Sequence, residues 1–88
     1  MYCVVDPRTN RAYYGTKVEI AEALTNYKLT PIPNQPDKFQ LSYKFPGKIR
    51  INSVSYSSVE WKPDEMYKDA AGIIFSELKD NNYLIFRN

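Results

Sequence analysis

The chain contains no histidine. That removes the commonest general base near neutrality, the commonest metal ligand and every nucleophilic triad built on imidazole. Cysteine occurs once, at Cys3, which excludes an internal disulfide framework and a thiolate cluster for zinc or iron–sulfur. In a Val-rich stretch Cys3 reads as a small hydrophobe rather than a nucleophile. Only three glycines are present. Gly15-Thr16 and Pro46-Gly47-Lys48 stand isolated, without a phosphate-cradling loop or a dinucleotide fingerprint around them. No apolar run is long enough to span a bilayer, and no signal peptide or lipidation box can be read. These absences lead to an expectation of a cytoplasmic protein without cofactor or metal, not bound to membrane and not an enzyme.

What charge there is lies unevenly. Residues 1–50 carry eight Lys/Arg against four Asp/Glu, and residues 51–88 carry four against six. The resulting dipole can steer a partner, but it falls short of the concentrated basic stripe of electrostatic nucleic-acid binding. Tyrosine, by contrast, is abundant: eight residues from Tyr2 to Tyr83. A ring with a polar handle suits the rim of a core or a recognition surface, and the sequence leaves both open.

Eighty-eight residues make a single domain, 1–88, with one modest core. Its organiser is Asp64–Leu78, where Met66, Tyr67, Ala70, Ala71, Ile73, Ile74, Phe75 and Leu78 fill more than half of a helical wheel. So wide an apolar arc needs a sheet beneath it and a second element on its flank. Pro63 suits the first position of this 63–79 helix, and Asp64 and Glu65 suit its first turn. Gly72, inside it, suggests close packing at its polar side.

The preceding chain supplies the other layers. Residues 1–5 and 11–14 read as a hairpin around the strong turn Asp6-Pro7-Arg8-Thr9-Asn10. Thr16 and Glu19 form a capping box opening a helix to about Asn26 or Tyr27, with Ile20, Ala23, Leu24 and Tyr27 on one face. Three prolines in Lys28–Lys38 predict a crossing loop. Phe39–Phe45 alternates with Phe39, Leu41, Tyr43 and Phe45 inward. Parity favours a three-residue loop at 46–48, which sets Ile49 against Phe45 and Ile51 against Tyr43 so that the faces agree. Beyond Asn52 the alternation slips: either a bulge at Asn52-Ser53 corrects it, or Val54 and Tyr56 are exposed. Trp61 is expected to fold back on the core. Tyr83–Phe86 has the apolar continuity of a central strand. The expected fold class is α+β, order ββαββαβ, with a mostly antiparallel sheet made of both hairpins and the last strand, and two helices packed on one face.

The acidic residues Asp64, Glu65 and Asp69 sit on a solvated helix start that the helix dipole favours, and a Ser57/Ser58–Lys62 dyad is too common a pattern to indicate chemistry. The expected function is a non-catalytic protein-interaction domain: an inhibitor, an adaptor, an accessory protein of a virus or plasmid, or a homo-oligomer. Its interface candidates are Val54, Tyr56, Tyr67 and Phe75, with Pro31 and Pro33 of the proline-rich segment fit for display. The partner would be another protein or a second copy of the chain. The alternative is a nucleic-acid module on the outward side of the 39–56 hairpin, using Gln40, Ser42, Lys44, Lys48, Arg50, Asn52 and Tyr56, with Arg8, Arg11 and Lys17 of the first hairpin against phosphates. No helix-turn-helix follows the capped helix, because the prolines intervene.

Overall fold

The turn at 6–10 folds as its residue types dictate. In a computed structural model of the protein, which describes residues 1–45, 47–55 and 62–87, the Asp6 carboxylate accepts from the Arg8 amide at 2.9 Å and Asn10 takes a φ of 59°. That turn joins β1 (Tyr2–Val5) to β2 (Ala12–Gly15). The capping box then forms as expected: Thr16 Oγ accepts from the Glu19 amide at 3.2 Å, and Glu19 Oε1 accepts from the Thr16 amide at 3.1 Å. It opens α1 (Lys17–Thr25), which ends at Asn26 in the left-handed region. The buried stripe of α1 is Ile20, Ala21 and Thr25, whereas Ala23 is exposed.

The proline-rich segment is not a loop. Residues Lys28–Ile32 form β3, which pairs antiparallel with β4 (Gln35–Lys44) around a turn where Asn34 has a φ of 64°. Two circumstances make the prolines tolerable. Pro31 sits in an edge strand, and Pro36 falls where the register shifts between Pro31↔Phe39 and Ile32↔Gln35, so its missing N–H removes no regular ladder bond. The element order gains a strand over the expected ββαββαβ and becomes ββαβββαβ.

β5 (Ile49–Ser55) pairs with β4 in a register other than the one parity favoured. The Phe45 amide donates to the Lys48 carbonyl at 2.8 Å, Gly47 takes a φ of 80°, and Arg50, not Ile51, lies opposite Tyr43. Arg50, Asn52 and Val54 therefore face the core side, with no bulge, while Ile49 and Ile51 point out at 74% and 60% exposure. Parity misleads here because Arg50 finds partners on the inner side: its Nε donates to the Phe45 carbonyl at 2.6 Å and its guanidinium reaches Glu77.

The long helix α2 spans Pro63–Asp80 and buries Met66, Ala70, Ala71, Ile74, Phe75 and Leu78. A Cβ added at Gly72 would meet nothing within 4 Å, so packing does not require this glycine. The chain ends in β6 (Leu84–Arg87), which pairs only with β1. β6 is thus an edge rather than a central strand, and β1 takes the central place.

The result is an α+β domain with an antiparallel arrangement of strands and both helices on one side, divided into two three-stranded sheets, β2-β1-β6 and β3-β4-β5, rather than one. Both sheets and both helices contribute to one core through Val4, Ile20, Leu41, Ile74 and Leu78, all nearly or wholly inaccessible. The Cα envelope measures 18 Å along its shortest axis, room for one layer of helix on one of sheet. Trp61 and the Ser57/Ser58–Lys62 pair, apart from Lys62, lie outside the described residues.

Candidate interaction surface

Two layers leave the far side of each sheet in solvent. In the sheet β2-β1-β6 the register puts Tyr14, Cys3 and Phe86 in one row across the strands, and Ala12, Val5 and Leu84 in the next. The opposite parity, Tyr2, Val4, Tyr13 and Ile85, packs into the core. Hence the outward positions are Cys3, Val5, Ala12, Tyr14, Leu84 and Phe86, and none is charged. Tyr14 is 69% exposed, Phe86 55% and Leu84 53%. Solvated antiparallel sheet faces normally alternate to polar side chains. This one does not.

The outer face of β3-β4-β5 follows the ordinary rule more closely. There Lys28, Thr30, Gln40, Ser42, Lys44 and Ser53 surround Ile49 and Ile51. The two isoleucines form a small apolar spot within a polar surface.

The residues singled out from sequence are scattered by the fold. Val54 lies half-buried across from Phe39 and packs against the core. Phe75 is buried, edge-on to Tyr2 with ring centroids 5.6 Å apart, so the premise of its exposure fails. Tyr67 is half-buried beside Tyr27, whose hydroxyl donates to the Tyr67 carbonyl at 3.0 Å. Pro31 and Pro33 are exposed on and after β3. Tyr56 lies outside the described residues.

The cations of the nucleic-acid alternative do not share one face. Lys44 and Lys48 are exposed at one end of the β4–β5 hairpin, but Arg50 and Asn52 are turned to the inner side, against the expectation that they stand with Gln40 and Ser42. Arg50 pairs with Glu77, which also accepts from the Tyr43 hydroxyl, and Asn52 Nδ2 donates to that hydroxyl at 3.3 Å. Burial raises the Tyr43 pKa above the ordinary tyrosine value, and the bond to Glu77 raises it further. Arg8 is tied to the first turn: its Nη2 donates to the Tyr83 hydroxyl at 3.2 Å and its Nε lies 3.6 Å from Asp6. Burial pushes the Asp6 carboxyl up, yet the Arg8 amide and guanidinium together bring it net below the ordinary carboxylate value. Lys17 stands over the rings of Tyr2 and Phe75 at 5.4 and 5.7 Å, and Arg11 is exposed after the turn.

A groove of about 750 Å³ lies between α1 and the N-terminal part of α2, lined by Tyr2, Lys17, Glu22, Asp64, Tyr67 and Lys68 among others. Its two cations and two carboxylates balance one another. Among the described residues no group of three or more Cys, Asp or Glu side chains is placed to hold a metal ion, and no helix is long and apolar enough to cross a membrane.

Comparison of the chain with protein-family models, with curated proteins and with solved structures finds no match.

The outward set Cys3, Tyr14, Leu84 and Phe86 was missed by reading periodicity alone. A signal for it exists in the sequence. MYCVV and YLIF are apolar at both parities, and in an antiparallel sheet covered on one side only, one of those parities has nothing of the chain to bury against.

Proposed function

We propose that this protein is a non-catalytic interaction domain, cytoplasmic, which binds protein through the outer face of the β2-β1-β6 sheet. One observation carries the reading: the outward positions of three adjacent strands hold no charge and expose Tyr14, Leu84 and Phe86. Rings of this size bury roughly 150–250 Å² each. Together with Leu84 they make an apolar patch across adjacent rows of the sheet. Aromatic anchors without surrounding charge are the composition of an interface centre.

The polar clusters support the same reading from the other side. Tyr43 and Arg50 both bond to Glu77, and Arg8 joins Asp6 to Tyr83, so these partly buried titratable groups brace the fold.

A photo-crosslinking residue introduced at position 14 tests this reading against one at position 40, on the polar face of the other sheet. Crosslinks to protein from position 14 alone are expected. Equal crosslinking from both positions, or an oligonucleotide titration showing micromolar binding that Lys44→Ala with Lys48→Ala weakens, would overturn it.

A further inference from the structure

We infer that the free edge of β5 takes an extended, acidic segment of another protein as a further strand of the β3-β4-β5 sheet. This site lies on the other sheet from the face discussed above and stands independently of that reading. An exposed strand edge is a row of unpaired amides and carbonyls, which proteins ordinarily blunt by shortness, by proline or by charge. Among the described residues each sheet has two edges, β2 and β6 in one and β3 and β5 in the other. β2 and β6 are only four residues long, and β3 carries Pro31. β5 runs for seven residues without proline and without charge on its outward side. Its one charge, Arg50, turns inward, where Glu77 neutralises it.

The bond from the Phe45 amide to the Lys48 carbonyl sets the phase of the ladder. Bonded main-chain pairs then recur at every second residue, Tyr43 with Arg50 and Leu41 with Asn52. The amides and carbonyls of Ile49, Ile51 and Ser53 therefore point away from β4, into the free edge. The same phase turns the nitrogen of Pro31 away from β4 at the opposite edge, so the proline stands where a free donor would otherwise be offered. One edge of this sheet is blunted and the other is open.

Charge specifies the occupant. The outward positions of this sheet include Lys28, Lys38 and Lys44, and Lys48 follows at the turn; all are exposed, and no carboxylate stands among these positions. Lys44 lies across from Ile49 and Lys38 across from Ser55, so cations mark both ends of the free edge, with Ile49 and Ile51 between them. A strand laid there sets alternate side chains beside the isoleucines and its carboxylates beside the lysines. Single-stranded nucleic acid would meet the same cations, but among the described residues no aromatic ring faces outward on this sheet to stack a base. Gln40 lies two strands in from an added strand, roughly 10 Å away, which keeps position 40 outside the contact.

Fluorescence anisotropy with the whole chain tests the inference. The probe is a labelled peptide of about ten residues, the length of a long strand, alternating valine and threonine with glutamates at both ends. Saturable binding is expected, weaker by about tenfold or more when lysines replace the glutamates. N-methylation of alternate peptide amides should abolish binding for one of the two alternating sets and spare it for the other, because only one set faces β5. Ile51→Pro removes a free-edge amide but no bond to β4, and should weaken binding by about tenfold or more with an unchanged circular dichroism spectrum. Lys44→Glu with Lys48→Glu leaves the backbone untouched and should reverse the preference between the two peptides, which decides the matter even where the proline variant does not fold. The inference is overturned by no saturable binding of the acidic peptide up to about 1 mM, by equal effects of the two N-methylated sets, or by a preference that the lysine variants leave unchanged. Those outcomes spare the reading of the β2-β1-β6 face. A single-stranded oligonucleotide that binds in the micromolar range, more tightly than the peptide, and is lost with Lys44→Glu and Lys48→Glu overturns both.

Discussion

Arg50 stands directly across the β4–β5 ladder from Tyr43, and both side chains end on the single carboxylate of Glu77 in α2. The sheet β3-β4-β5 is thereby bolted to the helix by polar bonds next to the core residues Leu41 and Leu78. Glu77 is only 17% exposed at its side chain and Arg50 40%, so solvent screens the pair in part.

Removing the charge with Glu77→Gln is expected to cost about 1–2 kcal/mol in urea unfolding, since a partly buried guanidinium then lacks its partner. Adding Arg50→Met to that variant should recover most of the loss. Additive effects of the two substitutions would show that the pair contributes nothing beyond its separate side chains.

Gly72→Ala should stabilise the domain by about 1 kcal/mol, the difference in helix propensity, because the new methyl group meets open space. For a chain of this size the thermal midpoint should rise by about 4–8 °C. A lower midpoint would mean that the helix needs its flexibility there.

Gly15→Ala should do the opposite. Gly15 has a φ of 140°, and an added Cβ would lie 3.2 Å from Glu19 Oε1, inside the capping box. Strain of this kind costs about 1–3 kcal/mol, more than the roughly 1 kcal/mol expected when Thr16→Ala removes the cap alone. Thermal unfolding of the two variants side by side gives the order.

Stability should fall at both ends of the pH range. Burial first, and then the bond to Glu77, raises the Tyr43 pKa; burial likewise raises that of Tyr83, against the lowering by Arg8. The folded state therefore holds these protons longer than the unfolded chain. Their contribution is complete below the ordinary tyrosine value of 10.0 and is lost as pH rises from there through the raised values. Asp6 works in reverse: its pKa is net lowered, so its contribution is complete above the ordinary 3.8 and disappears as pH falls through the lowered value. Urea midpoints across pH should show both losses. Tyr43→Phe should soften the alkaline one and Asp6→Asn the acid one.

The legible parts of the fold were those where local chemistry decides. The capping box at Thr16 and Glu19, the Asp6–Asn10 turn and the broad face of α2 each follow from residues within one turn or a few turns of one another. What escaped was set by partners far along the chain. Proline is tolerated at 31 because β3 is an edge strand and at 36 because the first residues of the central strand β4 lie at a register shift, and only the pairing of the strands distinguishes these places from a loop. Parity chose the isoleucines for the inside of β5, whereas Glu77, 27 residues beyond Arg50, chose the arginine. The outward face of β2-β1-β6 was hidden for a related reason: a strand apolar on both sides reads as central until the number of layers is known.

Asn10, Asn26, Asn34 and Asn82 all adopt left-handed backbone angles, with φ between 49° and 67°. Glycine would reach these angles without strain, but a glycine also roams more widely in the unfolded chain and forfeits more freedom on folding. Asparagine is the non-glycine residue for which the left-handed region is least unfavourable. By closing four turns with asparagine and keeping only three glycines, the chain narrows its denatured ensemble at the places where its direction must reverse. Part of the stability of this small domain is thus held in the state that is never seen in the structure.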